Sequence, residues 1–144
     1  MAIRSWTQRG IATGPAPPLD GLDLAGQAIS LADYAGKPVM VHFWATWCPT
    51  CITESGSINV LAREHAVLTV ATDSGQASEI RAFMENRGLK FSVMVDTDGS
   101  RARDWGVNAY PTTFFVDARQ IIRFAETGFT TEAGLRARLW LTGR

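Results

Sequence analysis

With 144 residues, 46% of them apolar and 19% charged, the chain fits one globular domain that can bury a core without covalent staples. Lys plus Arg and Asp plus Glu number 14 each, so the composition carries no polyelectrolyte signature for nucleic acid or an anionic membrane. No apolar run reaches the ~20 residues of a membrane-spanning helix, and residues 1–24 carry neither the continuous apolar stretch nor the cleavage pattern of a leader.

The elements follow in chain order. Arg4-Ser5-Trp6-Thr7-Gln8-Arg9 mixes a Trp with two cations, as juxtamembrane sequence does. Gly14-Pro15-Ala16-Pro17-Pro18 is stiff and extended, so residues 1–18 read as a lead-in and 19–144 as the domain. Ala28 to Leu31 alternates like a short strand, and the apolar, β-forming run from Val39 to Trp44 suits a central strand buried on both faces. From Cys48 to about Glu64 the pattern predicts a helix with Ile52, Ser55, Ile58, Leu61 and Ala62 along its inner side. Val67 to Ala71 is the next strand, and Ser78 to Arg87 a helix stopped by Gly88. Strand Phe91 to Val95, the turn Asp96 to Gly99 and a short helix from Ser100 to Trp105 follow.

Strands Pro111 to Val116 and Gln120 to Glu126 form a hairpin, and a last helix from Glu132 to Leu141 offers Leu135, Leu139 and Trp140 for packing. Arg136, Arg138 and Arg144 lie toward that helix's negative end. The order β-α-β-α-β-α-β-β-α predicts an α/β fold: a mixed sheet with helices on both faces and right-handed crossovers in its parallel part.

Cys48 and Cys51 are the only cysteines. A bridge between them closes too short a loop to stabilise the fold much, so the pair reads as dithiol/disulfide chemistry. Cys48 falls where a buried strand meets a helix N-terminus, whose free N–H groups and dipole favour a thiolate and lower its pKa from ~8.5. Pro49 takes the first helical position, where its missing N–H costs nothing. Cys51, one turn in, is the more buried and suits the resolving role. Zinc wants four ligands, and the chain offers two thiols and two histidines. Cu(I) accepts two thiolates and stands as an alternative use of the pair.

The segment Val41 to Cys51, the carboxylate Glu54 three residues on, and Val107-Asn108-Ala109-Tyr110-Pro111-Thr112-Thr113-Phe114 with a helix-plus-strand unit before it resemble the thioredoxin superfamily. More narrowly they resemble its exported TlpA/ResA/CcmG-like branch, and the likeness runs over about residues 16–142. The ending, Gly128 to Thr131 and Gly134 to Leu141, is similar to the copper-sensitivity-suppressor D (ScsD-like) subgroup. The resemblance implies a three-layer thioredoxin-like fold with the TlpA-type insert. It implies a cis-proline at Pro111, with the backbone of Tyr110 receiving an extended substrate strand. It also implies an acidic residue at Glu54 that relays the proton of Cys51, a role a partly buried carboxylate beside a thiol suits. The alternative is that Glu54 is a helix first-turn carboxylate helped by the dipole.

His42 departs from the Asp or Asn of relatives. It reads as a possible proton acceptor or as a hydrogen-bonded core residue kept neutral by burial. Ser55-Gly56-Ser57 replaces a helix-kinking proline and can permit a bend. Trp47 should flank the nucleophile as an apolar platform, while Trp44 should be core and His65 surface. Asp73-Ser74-Gly75, at a strand end before a helix, is an anion-binding candidate. Together these readings predict an enzyme: a thiol:disulfide oxidoreductase acting on protein thiols and disulfides, without cofactor or metal, as a monomer. The resemblance further implies a periplasmic or exported, membrane-anchored protein with a membrane reductase or oxidase as electron partner.

Overall fold

The computed structural model describes residues 11–144; the Arg4–Arg9 segment lies outside them. The strands are β1 (Gly14–Pro15), β2 (Asp20–Leu22), β3 (Ala28–Ser30), β4 (Val39–Trp44), β5 (Val67–Thr72), β6 (Ser92–Asp96), β7 (Thr112–Val116) and β8 (Ile121–Thr127). The helices are α1 (Pro49–Ala62), α2 (Ala77–Arg87), α3 (Ser100–Asp104) and α4 (Glu132–Thr142), with a 3-10 turn at Leu31–Tyr34.

Six strands form one sheet in the order β1-β8-β7-β4-β5-β6. β4 pairs parallel with β5 and antiparallel with β7, and every residue of it is buried. The β-branched and aromatic content of Val39–Trp44 suits a strand covered on both faces. Its alternation divides two cores. Met40 and Trp44 face a layer of α1, α2 and α4 side chains, among them Ile58, Ile80 and Leu135. Val39, Val41 and Phe43 face Ala102 and Trp105 of the α3 region, with Leu19 and Leu31. Helices thus cover both faces, as predicted.

The chain direction positions the site. β4, β5, β6 and β8 all run the same way, because β7 is antiparallel to both of its neighbours. The helices that follow them therefore start at one edge of the sheet and end at the other.

Several expectations need correction. The lead-in does more than lead in. Gly14–Pro15 pairs with Ile121 and Ile122 at the sheet edge, and Ala12 and Ala16 donate backbone hydrogen bonds to Trp105 and Gln120. Leu31 begins the 3-10 turn, capped by Ser30, rather than ending a strand, and β3 folds back on β2 as a hairpin. The inner line of α1 is Cys51, Glu54, Ile58 and Leu61, with Ile52 and Ser55 half-buried. The site residues themselves occupy core positions, so apolar periodicity alone finds the wrong stripe. In α4 the buried line is Leu135, Leu139 and Thr142, and Trp140 is 61% exposed. Arg136 bonds Glu64 and Glu132, and Arg138 bonds Glu126. These two guanidiniums tie α4 to its surroundings instead of capping its C-terminus. α1 runs unbroken through Ser55-Gly56-Ser57, with Ser55 Oγ donating to the Ile52 carbonyl at 2.7 Å.

Candidate active site

Cys48 is the N-cap of α1, extended at φ −97° and ψ 112°. Its sulfur accepts the backbone N–H of Cys51 at 3.2 Å, the place an N-cap side chain fills. As a thiol, Cys48 donates to the Tyr110 carbonyl at 3.5 Å. Both cysteines are reduced and buried, at 5% and 2% exposure. Cys48 is therefore less open than the sequence suggests. Burial pushes the Cys51 thiol far up, helped by the Cys48 hydrogen bond and the Glu54 carboxylate. At neutral pH Cys51 is the protonated partner.

The Tyr110–Pro111 peptide bond is cis. The Pro111 carbonyl accepts the N–H of Gly128 at 2.7 Å, and Thr112 Oγ1 donates to the Ala109 carbonyl at 2.7 Å, so the turn is tied at both sides. Trp47 is 57% exposed, its ring edge-on to Tyr110 at 5.8 Å between centroids. Pro49 is the first residue of α1 and exposed beside the dithiol. Trp44 is core, packed against Phe83 and Phe91, and His65 is exposed past the end of α1.

Glu54, one turn beyond Cys51, is buried. Its Oε2 accepts the N–H of Thr130 at 3.3 Å, whereas Oε1 has no protein partner. Burial pushes its pKa up from 4.5 to about 7, partly offset by the Thr130 N–H. A carboxyl poised there exchanges protons near neutrality. His42 lies on the same face of β4 as Met40 and Trp44. Its Nδ1 is 2.9 Å from Thr113 Oγ1 on β7, and burial alone pushes its pKa down to about 3. The imidazole is neutral.

Sequence reasoning missed three contributors. Ser74 is buried; its hydroxyl accepts the Thr46 N–H and donates to the Thr72 carbonyl, both at 2.9 Å. The Asp73 carbonyl accepts Trp47 Nε1–H at 2.9 Å. Thr130 supplies the N–H on Glu54 from 76 residues away, and no local signal points to it. The anion-binding reading of Asp73-Ser74-Gly75 fails: the Glu79 carboxylate already accepts the Gln76 N–H at 2.7 Å and fills the space above Gly75. Among the described residues no group of three or more His, Cys, Asp or Glu side chains converges to hold a metal ion.

A thioredoxin-like sheet carrying a Cys-x-x-Cys pair on the N-terminus of its first long helix defines a thiol:disulfide oxidoreductase. The chain belongs to the AhpC/TSA family, which matches residues 12–125, and within it to the TlpA/ResA/DsbE-like branch. It is 35% identical to the thioredoxin-like protein YneN of Bacillus subtilis over 130 residues, 86% of this chain and 76% of that one. To the thiol:disulfide interchange protein DsbE of Xylella fastidiosa it is 33% identical over 134 residues, covering 88% and 68%. The crystal structure of the pneumococcal exposed lipoprotein thioredoxin from Streptococcus pneumoniae superposes with a TM-score of 0.73 at 28% identity, covering 87% of this chain and 99% of that one. These likenesses support the branch and leave the ScsD-like subgroup to be argued separately.

Proposed function

We propose that the chain exchanges disulfides with protein substrates through Cys48-Pro49-Thr50-Cys51. The observation that carries this is the placement of the Cys48 sulfur between the Cys51 N–H and the Tyr110 carbonyl, beside the cis-Pro111 turn. In the reducing direction the Cys48 thiolate attacks one sulfur of a substrate disulfide. A mixed disulfide forms and one substrate thiolate leaves. Cys51 then loses its proton and attacks Cys48 Sγ, closing the Cys48–Cys51 disulfide and releasing the second substrate thiolate. Two electrons pass from the pair to the substrate; the same steps reversed oxidise a substrate dithiol.

Glu54 takes the proton of Cys51. Its buried carboxyl titrates about at neutrality, and its Oε1 is free of protein partners. His42, neutral and bonded to Thr113, supports the core under the site instead of moving protons. Trp47 and the Tyr110 backbone receive the substrate strand, with Pro49 at the rim. The sequence likeness of the ending Gly128 to Thr131 and Gly134 to Leu141 supports an ScsD-like assignment. The likeness to an exposed lipoprotein supports an exported, membrane-anchored protein with a membrane reductase or oxidase as its electron partner.

Trapping tests the roles. Cys51→Ser incubated with a reducible protein such as insulin should accumulate a mixed disulfide through Cys48, seen on non-reducing gels and by mass. Cys48→Ser should accumulate none. The reverse pattern refutes the assignment.

A further inference from the structure

The charges of this chain balance in number but not in space. Because β4, β5 and β8 all point toward the dithiol, α1, α2 and α4 end together at the opposite pole. Three adjoining hollows open there. One of about 490 Å³ is lined by Lys37, Pro38, Arg63 and His65, with Glu64. A second of about 210 Å³ shares Arg63 and adds Lys90, and a third of about 450 Å³ shares Pro38 and adds Arg119, Arg123 and Arg144, with Asp117. Both carboxylates are already engaged. Glu64 takes the Arg136 guanidinium at 2.7 Å; Asp117 accepts the N–H groups of Arg119 and Ile121 and lies 3.9 Å from Arg123.

We propose that this pole docks on an anionic phospholipid surface, with headgroup phosphates entering the hollows. Clustered Lys and Arg are drawn to anionic lipid over a Debye length, whatever the net charge of the chain. The rim of the patch selects lipid over an acidic protein. Trp140 is 61% exposed with the Arg144 guanidinium over its ring at 4.5 Å, and Leu141 beside it is 43% exposed. An indole stacked with a cation suits the headgroup boundary, where its apolar body and polar edge are both accommodated. Docked this way, the dithiol faces away from the bilayer toward soluble partners.

Cosedimentation of the full chain tests this with vesicles of phosphatidylcholine alone and vesicles containing phosphatidylglycerol. The chain should pellet with the second, not the first, and detach as salt rises. Lys37→Gln/Arg63→Gln/Arg119→Gln, checked for fold by circular dichroism, should lower partitioning by about tenfold or more. Arg103→Gln, at the dithiol end, should change it less than about twofold. Equal binding to both vesicles, or a triple variant that binds like the parent, overturns the proposal. Binding to soluble polyglutamate as strong as to the anionic vesicles also overturns it, and assigns the pole to an acidic protein instead.

Discussion

Glu54→Gln and His42→Asn should tilt the pH dependence of stability in opposite directions. Buried Glu54 titrates about at 7 in the folded chain and at 4.5 when unfolded. Between those values the folded state holds a proton that the unfolded state has lost, so stability falls as pH rises, by about 1.4 kcal/mol per pH unit. Buried His42 titrates at about 3 when folded and 6.5 when unfolded. In that window the unfolded state holds the extra proton, so stability rises with pH at the same rate. From pH 4.5 to 6.5 the two slopes cancel.

Removing either group exposes the other. The amide oxygen of Gln still accepts the Thr130 N–H. Glu54→Gln should therefore gain about 2 kcal/mol between pH 5 and 6.5, whereas His42→Asn should lose about as much. Denaturant unfolding at pH 5, 5.75 and 6.5 measures this directly, with the parent nearly flat across the range. If all three proteins run parallel, Glu54 is not held protonated nor His42 neutral by burial, and Glu54 is not the proton acceptor of Cys51.

The other outcomes concern support of the site and the core. Ser74→Ala leaves the Thr46 N–H without its acceptor and should cost about 1–3 kcal/mol; it should also shift Trp47 emission, and an unchanged unfolding midpoint contradicts the anchoring role. Trp105, fully buried against Phe43 and Phe114, should cost about 3–5 kcal/mol as Trp105→Ala. Exposed Trp140 should cost less than about 0.5 kcal/mol as Trp140→Ser, both read from urea midpoints.

What the sequence made legible is the local chemistry. Val39–Trp44 reads as a buried strand because nearly all its residues are apolar, and Cys48-Pro49 reads as a helix start because proline suits the first helical position. Gly88 ends α2 with φ 66°, in the left-handed region where glycine carries no Cβ penalty. Less legible were features whose partner lies far along the chain. Gly14–Pro15 becomes a strand only because Ile121 and Ile122 offer an edge, and Glu54 acquires its hydrogen bond only when the loop after β8 delivers Thr130. The stripe on α1 was misread for a different reason. Cys51 and Glu54 stand where a purely structural helix would place apolar residues, so function breaks the periodicity that locates the core.

The same chain direction that places the dithiol at one edge of the sheet also sorts the charge. All four helices begin at the edge of the sheet where β4 ends, and their free N–H groups gather there. Cys48 caps the first of those N-termini, and its sulfur takes one of the free N–H groups, that of Cys51. The opposite edge collects three C-termini, where basic side chains are favoured, and Arg63, Arg87 and Arg144 occupy or follow the last turns. Lys37, Arg119 and Arg123 belong to no helix, so helix ends do not account for them. They widen the basic zone beyond what the helix dipoles call for. That excess at one pole of a chain whose formal charges sum to zero is what an anionic surface can recognise and a composition count conceals.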